Sequence, residues 1–342
     1  LGAAEKFRLV ELLDEFVRPE KPKVLASEIE EATSYNTAYS INDRTRTFLK
    51  VQDGCNYSCT FCTIPLARGR SRSDTIENIV CSAKEIAAKG IKEIVLTGVN
   101  TGDFGIRNGR REDRFIDLVK ELERNVPVER FRISSIEPNL LTDEIIEFVS
   151  RSNKFVPHFH IPLQSGSNRI LKLMKRRYLR ELYVNRVNTI KTLAPNCCIG
   201  VDVIVGFPGE TEDDFLETYT FLNELNISYL HVFTYSKRVN TPAADMLDPV
   251  PLKVRNERSK MLRSLSEKKR RRFYEENLNV EDYVLWEDDQ EDGKMLGFTR
   301  NYIKVVAKYD PIRINEVEKV CLKQINENGK VEVEQSDSTI LA

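Results

Sequence analysis

The stretch that decides the fold is KVQDGCNYSCTFCTIPLARGRSRS, residues 50–73, because it places three of the seven cysteines in one short segment. Cys55 and Cys59 are separated by three residues, and Cys59 and Cys62 by two. Thiolates are the usual ligands of iron–sulfur clusters, which normally take four. Three ligands at this spacing indicate a cubane cluster with one iron left open for a non-protein group.

Two other interpretations of the cysteines are a zinc site and a chance grouping of buried thiols. Zinc loops usually pair two CxxC units, and no second unit is visible in the sequence. We therefore favour the cluster, whose open iron is the starting point of radical chemistry with S-adenosylmethionine (SAM). Phe61, just before the last cysteine, is placed to pack against an adenine face.

The composition is that of a soluble globular enzyme, with 342 residues of which 41% are hydrophobic and 31% charged. No apolar run approaches the length of a membrane span, and the start lacks the pattern of a secretory signal. The odd cysteine count argues against a disulfide scaffold, and an oxygen-sensitive cluster belongs in a reducing compartment. We therefore predict a cytoplasmic location.

The charge is balanced overall but uneven along the chain. The totals of 52 Lys and Arg against 53 Asp and Glu give no general sign of nucleic-acid binding. Each basic run taken singly is as well explained by a solvated helix face, but several runs flank the predicted cluster. The runs lie at 68–72, 107–114, 172–180 and 268–272. From Asn279 to the end, 14 acidic and 8 basic residues give a net charge of −6.

Short apolar runs alternate with helical patterns between Arg44 and Lys237. Predicted strands cover 48–52, 93–98, 130–136, 159–164, 199–207 and 229–235, and predicted helices include 75–89, 142–151, 168–193 and 212–224. This alternation indicates right-handed βαβ units and a parallel sheet. Six units predict an α/β fold, an open partial (β/α)6 barrel of the TIM type, with its chemistry at the C-terminal ends of the strands. Thr142 and Thr211, each followed by acidic residues, predict helix starts.

Outside this barrel the sequence predicts three further segments. Residues 1–43 resemble a helix and a polar linker at the end of an upstream domain. A last long helix covers about 252–277, after which β-type segments alternate with Asp, Gly and Asn clusters. They indicate a small antiparallel β-barrel similar to an oligonucleotide-binding fold. The predicted domains are therefore 1–43, 44–277 and 278–342.

Candidate ligand contacts follow the second and third predicted strands. Thr97, Gly98 and Asn100 form a turn where the backbone can approach a small ligand closely. Ser135 and Glu137 offer a hydroxyl and a carboxylate suited to ribose hydroxyls or an ammonium group. An ordinary βα turn would explain Thr97, Gly98 and Asn100 about as well. A helix N-cap cluster would explain Ser135 and Glu137 about as well.

Further candidates follow the fourth and fifth strands. Gln164 and Ser165 are predicted polar contacts to a ligand. Asp202, Val205 and Phe207 belong to GVDVIVGFPGET, in which apolar strand ends and glycines can form a flat slot for adenine. A buried strand followed by a turn explains the apolar residues but not the whole GFPGET sequence. An isolated histidine is more often structural, so we assign no catalytic role to His158, His160 or His231.

Together these segments resemble the radical SAM methylthiotransferases. The resemblance rests on the cysteine stretch and on LTGVN, SSIEP, HFHIPLQSGSNRILKLMKRRY, DVIVGFPGETEDDF and HVFTYSKRVNTPAA. Within that family, RGRSRS, LKLMKRRY and SEKKRRRFYEENL are most similar to the tRNA threonylcarbamoyladenosine methylthiotransferases.

The resemblance implies a [4Fe–4S] cluster on Cys55, Cys59 and Cys62 that binds SAM. One electron, from a donor such as flavodoxin or ferredoxin, would cleave SAM to a 5′-deoxyadenosyl radical. The radical would abstract hydrogen from C2 of N6-threonylcarbamoyladenosine, next to the anticodon of tRNA. A methylated sulfur from an auxiliary [4Fe–4S] cluster would then be inserted, with a second SAM as methyl donor.

The resemblance also bears on both ends of the chain and on the arginines. The auxiliary cluster belongs to an N-terminal domain that we expect to be mostly absent from this sequence, and no matching motif surrounds Cys81, Cys197, Cys198 or Cys321. The C-terminal segment resembles the TRAM domain, an RNA-binding barrel. Arginines near the barrel mouth are predicted to face tRNA phosphates or the threonylcarbamoyl carboxylate: Arg68, Arg70, Arg176 and Arg177.

Several alternatives remain open at this point. The acidic C-terminal module does not favour phosphate binding and would suit a basic ribosomal protein, which a related branch of the family modifies at an aspartate. Another branch acts on isopentenyladenosine in tRNA. A non-catalytic Fe–S module that binds RNA and an Fe–S electron-transfer protein are alternatives of other classes.

Overall fold

The structure is a computed structural model and describes residues 1–14, 24–40 and 45–336. Its helices are α1 Leu9–Asp14, α2 Ile64–Arg68, α3 Ile76–Ala87, α4 Phe115–Asn125, α5 Asp143–Arg151, α6 Asn168–Leu173, α7 Arg180–Leu193, α8 Glu212–Glu224 and α9 Leu252–Glu275. Short 3-10 helices cover Glu5–Arg8, Ile29–Glu31, Thr101–Asp103, Pro242–Asp245 and Pro311–Arg313. Among these residues, no helix is both long and apolar enough to cross a membrane.

The strands of the first, larger unit are β1 Arg46–Lys50, β2 Gln52–Asp53, β3 Arg72–Ser73, β4 Glu93–Thr97, β5 Ile106–Arg107, β6 Arg110–Arg111, β7 Arg130–Ile133, β8 His158–Gln164, β9 Cys198–Val205 and β10 Tyr229–Thr234. Parallel pairing gives two sheets, β1-β4-β7 and β10-β9-β8. Parallel bridges from Phe131 to Phe155 and from Ser135 to His160 join them. Within the described residues no pairing returns from β10 to β1, so the predicted open six-stranded partial barrel is confirmed.

The helix starts follow from local capping. The hydroxyls of Thr142 and Thr211 accept hydrogen bonds from the backbone amides of Ile145 and Asp214. The Asp214 side chain accepts the Thr211 amide in return and so completes a capping box. Both predicted starts are confirmed. The amphipathic helix α4 forms without a side-chain cap and was not among the predicted helices.

The helix predicted over 168–193 is in fact two helices, α6 and α7. Lys175 has a φ of 54° after the end of α6, and the amide of Arg176 donates to the carbonyl of Leu171 at 2.9 Å. This is the left-handed residue and 6→1 bond with which many helices end. The break turns Arg176 inward, which decides its role at the site.

At the N-terminus, the predicted first helix is present as a 3-10 turn followed by α1. The rest of that helix, part of the predicted linker and the boundary at 43–44 lie outside the described residues. The core of the larger unit lies between strands and helices. Along β9, Val201, Val203 and Val205 are buried in this core, whereas Asp202 and Ile204 are half-buried. Because successive side chains of a strand alternate, Asp202 and Ile204 face the barrel interior.

The last unit is a closed barrel of β11 Glu281–Glu291, β12 Lys294–Thr299, β13 Lys304–Lys308, β14 Val317–Ile325 and β15 Val331–Gln335, in the order β11-β12-β13-β15-β14. Its pairings are antiparallel as predicted, except that β13 and β15 pair in parallel. Arg130 fastens the barrel to the first unit by donating to the carbonyls of Tyr283 at 2.7 Å and Phe298 at 3.2 Å.

Candidate metal centre

The three cysteines lie on a loop closed at its base by the pairing of β2 with β3. Gly54 opens the loop with a φ of +72°, and a Cβ there would lie 2.0 Å from the carbonyl oxygen of Arg70. An L side chain is therefore excluded by both conformation and space. The loop follows β1 directly, at the C-terminal end of the barrel, where the fold places chemistry.

Buried polar groups hold this loop rigid. The Asp53 carboxylate accepts from the amide of Gly54 at 2.9 Å and from the Arg72 guanidinium at 3.0 Å. The Gln52 amide nitrogen donates to the Gly54 carbonyl at 2.8 Å, and its oxygen accepts the amide of Asn100 at 2.8 Å. Gln52 thus connects the cysteine loop to the turn after β4. The sequence did not lead us to name Gln52, although its position two residues before Gly54 could have indicated a contact with the cysteine loop.

Each of the three sulfurs has a hydrogen-bond donor. The amides of Tyr57 and Ile64 lie 3.4 Å from the Sγ atoms of Cys55 and Cys62. The Arg176 guanidinium donates to the Sγ of Cys59 at 3.2 Å. Burial raises the pKa of the free Cys55 thiol to about 11, so a metal must replace the proton for the thiolate to form at neutral pH. The donors are placed to stabilise such thiolates.

The three sulfurs are not grouped as closely as the ligands of a single ion. Around one tetrahedral zinc ion, thiolates about 2.3 Å from the metal lie about 3.8 Å apart. Among the described residues, three potential ligand atoms mutually within 4.8 Å occur at His160, Asp202 and His231, and not at the three cysteines. The residues present therefore fit a [4Fe–4S] cluster held by three thiolates.

Arg176 occupies a different place from the predicted one. Its side chain is 4% exposed and forms an ion pair with Glu137 while donating to Cys59. Its predicted contact to a tRNA phosphate at the surface is therefore not supported, whereas the contact to the threonylcarbamoyl carboxylate stays a prediction. Burial raises the pKa of Glu137, against the opposing effect of Arg176.

An apolar cluster borders the last cysteine. Phe61 packs edge-on against Phe207, with ring centroids 6.4 Å apart, and Ile204 packs against the same cluster. The two predicted aromatic residues are thus brought together. Val205 is instead buried in the helix-facing core, because the pleat points it away from the interior. Ile204 is the neighbour that sequence reasoning missed, and strand alternation with Asp202 could have identified it.

The fourth strand does not present both of its predicted polar contacts. A bulge between Pro162 and Gln164 shifts the register, and Gln164 has a φ of +71°. The Ser165 hydroxyl lies 3.2 Å from that of Thr218 on α8, and it accepts the amide of Ser167. The bulge thus directs Ser165 into the helical layer, so its predicted ligand contact is not supported, whereas Gln164 remains half-buried at the strand end.

The turn after β4 keeps an unused polar atom. The Asn100 Nδ2 lies 3.3 Å from the Asp103 carboxylate, and within the described part of the chain its buried Oδ1 has no hydrogen-bond partner. Gly98 packs on Gln52, with a Cβ position 3.0 Å from that side chain. Thr97 and Ser135 are half-buried at the ends of neighbouring parallel strands. An orphaned acceptor at this edge fits a ligand that donates hydrogen bonds.

The other predicted arginines lie around the outside of the loop. Arg177 is exposed, donates to the Asn56 carbonyl at 2.9 Å and lies 3.9 Å above the Tyr57 ring. Arg70 is exposed as well. The half-exposed Arg68 lies 3.6 Å from Asp53 and so contributes to holding the loop. Arg70 and Arg177 therefore lie where an external partner can reach them.

The comparisons agree with this partial barrel and its cysteine loop. The sequence model described as the Radical SAM superfamily matches residues 49–222. The threonylcarbamoyladenosine tRNA methylthiotransferase MtaB of Bacillus subtilis (strain 168) is 42% identical over 327 residues, covering 94% of this chain and 72% of the relative. The protein of the same name from Aquifex aeolicus (strain VF5) is 41% identical over 308 residues, covering 89% of this chain and 73% of the relative.

A tRNA-2-methylthio-N(6)-dimethylallyladenosine synthase from Acetivibrio thermocellus is 39% identical over 227 residues, covering 66% of this chain and 47% of the relative. The match to the threonylcarbamoyladenosine enzymes thus extends over more of both chains. The chain belongs to the radical SAM superfamily and, within it, to the family of threonylcarbamoyladenosine tRNA methylthiotransferases.

Proposed function

We propose that the protein converts N6-threonylcarbamoyladenosine in tRNA, next to the anticodon, to its 2-methylthio derivative. The observation that carries this proposal is the rigid loop with Cys55, Cys59 and Cys62 at the C-terminal end of the barrel. Relatives named for this substrate are 34–42% identical and align with 86–97% of the chain. The cofactors are a [4Fe–4S] cluster on these cysteines and SAM.

When bound, the cluster and SAM supply the one-electron cleavage of SAM that starts the radical chemistry. The chain positions the reactants and excludes water. Phe61 and Ile204, which pack on the buried Phe207, form an apolar surface for the adenine of SAM. Polar groups at neighbouring strand ends contact the ribose and the methionine part: Thr97, Gly98, Asn100, Ser135, Glu137 and Gln164.

The auxiliary cluster remains a prediction of the family resemblance. Among the described residues, Cys197 and Cys198 are buried next to each other at the start of β9, while Cys81 on α3 and Cys321 on β14 lie in separate elements. Burial raises the pKa of Cys198 to about 12, which fits an inert structural thiol. None of these four cysteines is a proposed cluster ligand.

The electron donor is proposed to be a small acidic carrier, flavodoxin or ferredoxin. Exposed basic residues beside the cysteine loop support this choice, since opposite charges steer two proteins together. They are Arg70, Lys172, Lys175 and Arg177. A reducing cytoplasm is the proposed location, because the cluster is sensitive to oxygen.

The domain boundaries proposed from the sequence are 1–43, 44–277 and 278–342, the last being a TRAM domain that contacts RNA. The closed barrel of β11 to β15 supports its similarity to oligonucleotide-binding folds. Its net charge of −6 predicts that phosphate contacts come mainly from the larger unit.

Mass spectrometry of tRNA digests tests the proposed substrate. Deletion of the gene should remove 2-methylthio-N6-threonylcarbamoyladenosine and leave the 2-methylthio derivative of isopentenyladenosine unchanged. The wild-type gene should restore the product, whereas Cys59→Ala should not. Loss of the isopentenyl product alone would move the protein to the other tRNA branch. Unchanged tRNA together with a lost ribosomal-protein modification would contradict a tRNA substrate.

A further inference from the structure

Three side chains capable of binding a metal meet on adjacent strands of the barrel, apart from the cysteine loop. Asp202 of β9 is the direct register partner of His231 of β10. His160 of β8 pairs with Gly200, two residues earlier on β9. Because alternate residues of a strand share one face, Asp202 lies on the same side of β9 as Gly200. The sheet thus places the three side chains together on rigid elements.

Their ligand atoms converge closely. The Nε2 of His160 lies 2.8 Å from the Oδ1 of Asp202, and the Nδ1 of His231 lies 3.4 Å from the same oxygen. The second distance is longer than an ordinary N–H···O hydrogen bond of about 2.7–3.2 Å. Ligands about 2.1 Å from one ion are separated by about 3.0 Å in octahedral and about 3.4 Å in tetrahedral geometry. The 3.4 Å separation is that of neighbouring ligands around one ion, whereas the 2.8 Å separation lies within hydrogen-bond range. All three ligand atoms lie within 4.8 Å of one another.

The Asp202 carboxylate also lacks a strong positive partner. Among the described residues, its ion pairs are with the two imidazoles, and no Lys or Arg nitrogen lies within 4.0 Å. The Asp202 side chain is only 22% exposed, so water compensates its charge incompletely. A partly buried carboxylate beside two nitrogen ligands is an environment that favours a cation.

We propose that His160, Asp202 and His231 bind one divalent transition-metal ion, such as Zn²⁺ or Fe²⁺. Two imidazoles and one carboxylate favour such metals over Mg²⁺ and Ca²⁺, which prefer oxygen ligands. Three protein ligands leave coordination positions open, in contrast to a closed structural zinc site. The proposal assigns Asp202 to a metal in place of the SAM contact that the strand pattern predicts.

The site is open to a further ligand. The His160 and Asp202 side chains are 14% and 22% exposed, whereas His231 on the edge strand β10 is 52% exposed. The Tyr229 ring lies beside both imidazoles, with centroids 6.3 Å from His160 and 5.1 Å from His231. The open positions therefore face the barrel interior and its free edge, where water or an oxygen- or nitrogen-bearing group can complete the coordination.

Cobalt binding tests the proposal with an element that differs from the cluster iron. Protein with a reconstituted cluster is dialysed anaerobically against Co²⁺, and bound cobalt and iron are measured by mass spectrometry. The wild type should bind one Co²⁺ per chain. His231→Ala should weaken this binding more than about tenfold, since loss of even an outer-shell partner costs at least that. Cys81→Ser, which removes an exposed thiol, is the matched control and should bind as the wild type does.

X-ray absorption at the cobalt edge identifies the ligands independently of affinity. Nitrogen and oxygen neighbours with no sulfur are expected, and His231→Asp should retain the ion because it keeps a ligand atom. Absence of saturable binding, sulfur in the coordination shell, or equal binding by His231→Ala and the wild type would each overturn the proposal. Because His231 is half exposed and distant in sequence from the cysteines, an unchanged iron content will show that its variants keep the cluster.

Discussion

The guanidinium of Arg176 donates to the Sγ of Cys59 at 3.2 Å and forms an ion pair with the Glu137 carboxylate. All three groups are largely removed from water, so their charges interact more strongly than they would at the surface. Once Cys59 is a metal-bound thiolate, Arg176 lies between two negative groups. The pair would therefore influence the charge around a bound cluster.

Replacing Arg176 should lower the reduction potential of the cluster. Arg176→Met removes a positive charge, and the reduced cluster, which carries one more negative charge, loses stabilisation. A unit charge about 6 Å away at an effective dielectric constant of about 20 corresponds to a shift of about 100 mV. An anaerobic potentiometric titration followed by electron paramagnetic resonance measures this shift.

The Glu137 partner provides the control for that shift. Glu137→Gln should raise the potential, and the double variant Arg176→Met with Glu137→Gln should return it close to the wild-type value. The single Arg176→Met should also lose about 3–5 kcal/mol of stability because it leaves a buried carboxylate unpaired. Arg177→Met, at an exposed position, should shift the potential far less, because water screens its charge. Equal shifts at Arg176 and Arg177 would show that burial has no part in the effect.

Gly54 should be essential for cluster assembly. Gly54→Ala places a Cβ 2.0 Å from the Arg70 carbonyl oxygen and forces an L residue to a φ of +72°. The base of the loop must then shift, and we expect most of the iron to be lost after reconstitution. Iron and sulfide content of the purified variant measure the effect.

Gly90 is the matched control because it has a φ of +81° but no atom within 4 Å of an added Cβ. Gly90→Ala should lose only about 1–2 kcal/mol of stability for the left-handed conformation and keep the full iron content. An iron content equally low in both variants would assign the defect to backbone conformation rather than to the contact with Arg70.

The sequence predicted the parts of the molecule that depend on local patterns. The spacing of Cys55, Cys59 and Cys62, the alternation of strands and helices, and the caps at Thr142 and Thr211 are determined within a few residues. The structure therefore agrees with them closely. The second barrel was recognisable for the same reason, since its strands are separated by turn residues.

Other features depend on contacts between distant segments and could not be predicted from the sequence. A bulge in β8 directs Ser165 onto α8, and no local sequence pattern indicated that bulge. The basic run around Arg176 resembles a solvated surface, and its burial depends on Glu137, 39 residues earlier. Likewise, His160 and His231 looked isolated along the chain, but strand pairing places both beside Asp202.

Asp214 should make the stability dependent on pH. Burial opposes its ionisation, but bonds from Arg169, Thr211 and Ser167 lower its pKa below the ordinary value of 3.8. A carboxyl whose pKa is lower in the folded state stabilises the fold above its unfolded pKa. That contribution is lost as the pH falls through the folded value.

Asp214→Asn should therefore be less stable than the wild type by about 1.5–3 kcal/mol at pH 7, the usual contribution of a hydrogen bond to a charged group. The difference should shrink steadily below about pH 4, because the wild-type carboxyl then becomes protonated in the unfolded chain. Urea unfolding at several pH values measures it. Asp213→Asn, on the exposed side of the same helix turn, should show no comparable dependence. A difference that stays constant down to pH 2 would mean that the charge of Asp214 is irrelevant.

Arg70 and Arg177 should contribute to tRNA affinity through phosphate contacts. Both are exposed beside the cysteine loop, in contrast to the buried Arg176. Each alanine substitution should weaken tRNA binding and reduce the slope of log affinity against log salt by about 0.7–0.9, the value for one phosphate contact. Arg124→Ala, an exposed arginine paired with Glu121 on α4, is the control and should leave the slope unchanged. If Arg70→Ala and Arg177→Ala keep a normal iron content and leave the salt slope unaltered, this basic surface would be assigned to the electron donor instead. The rate of cluster reduction by flavodoxin should then fall in the same two variants.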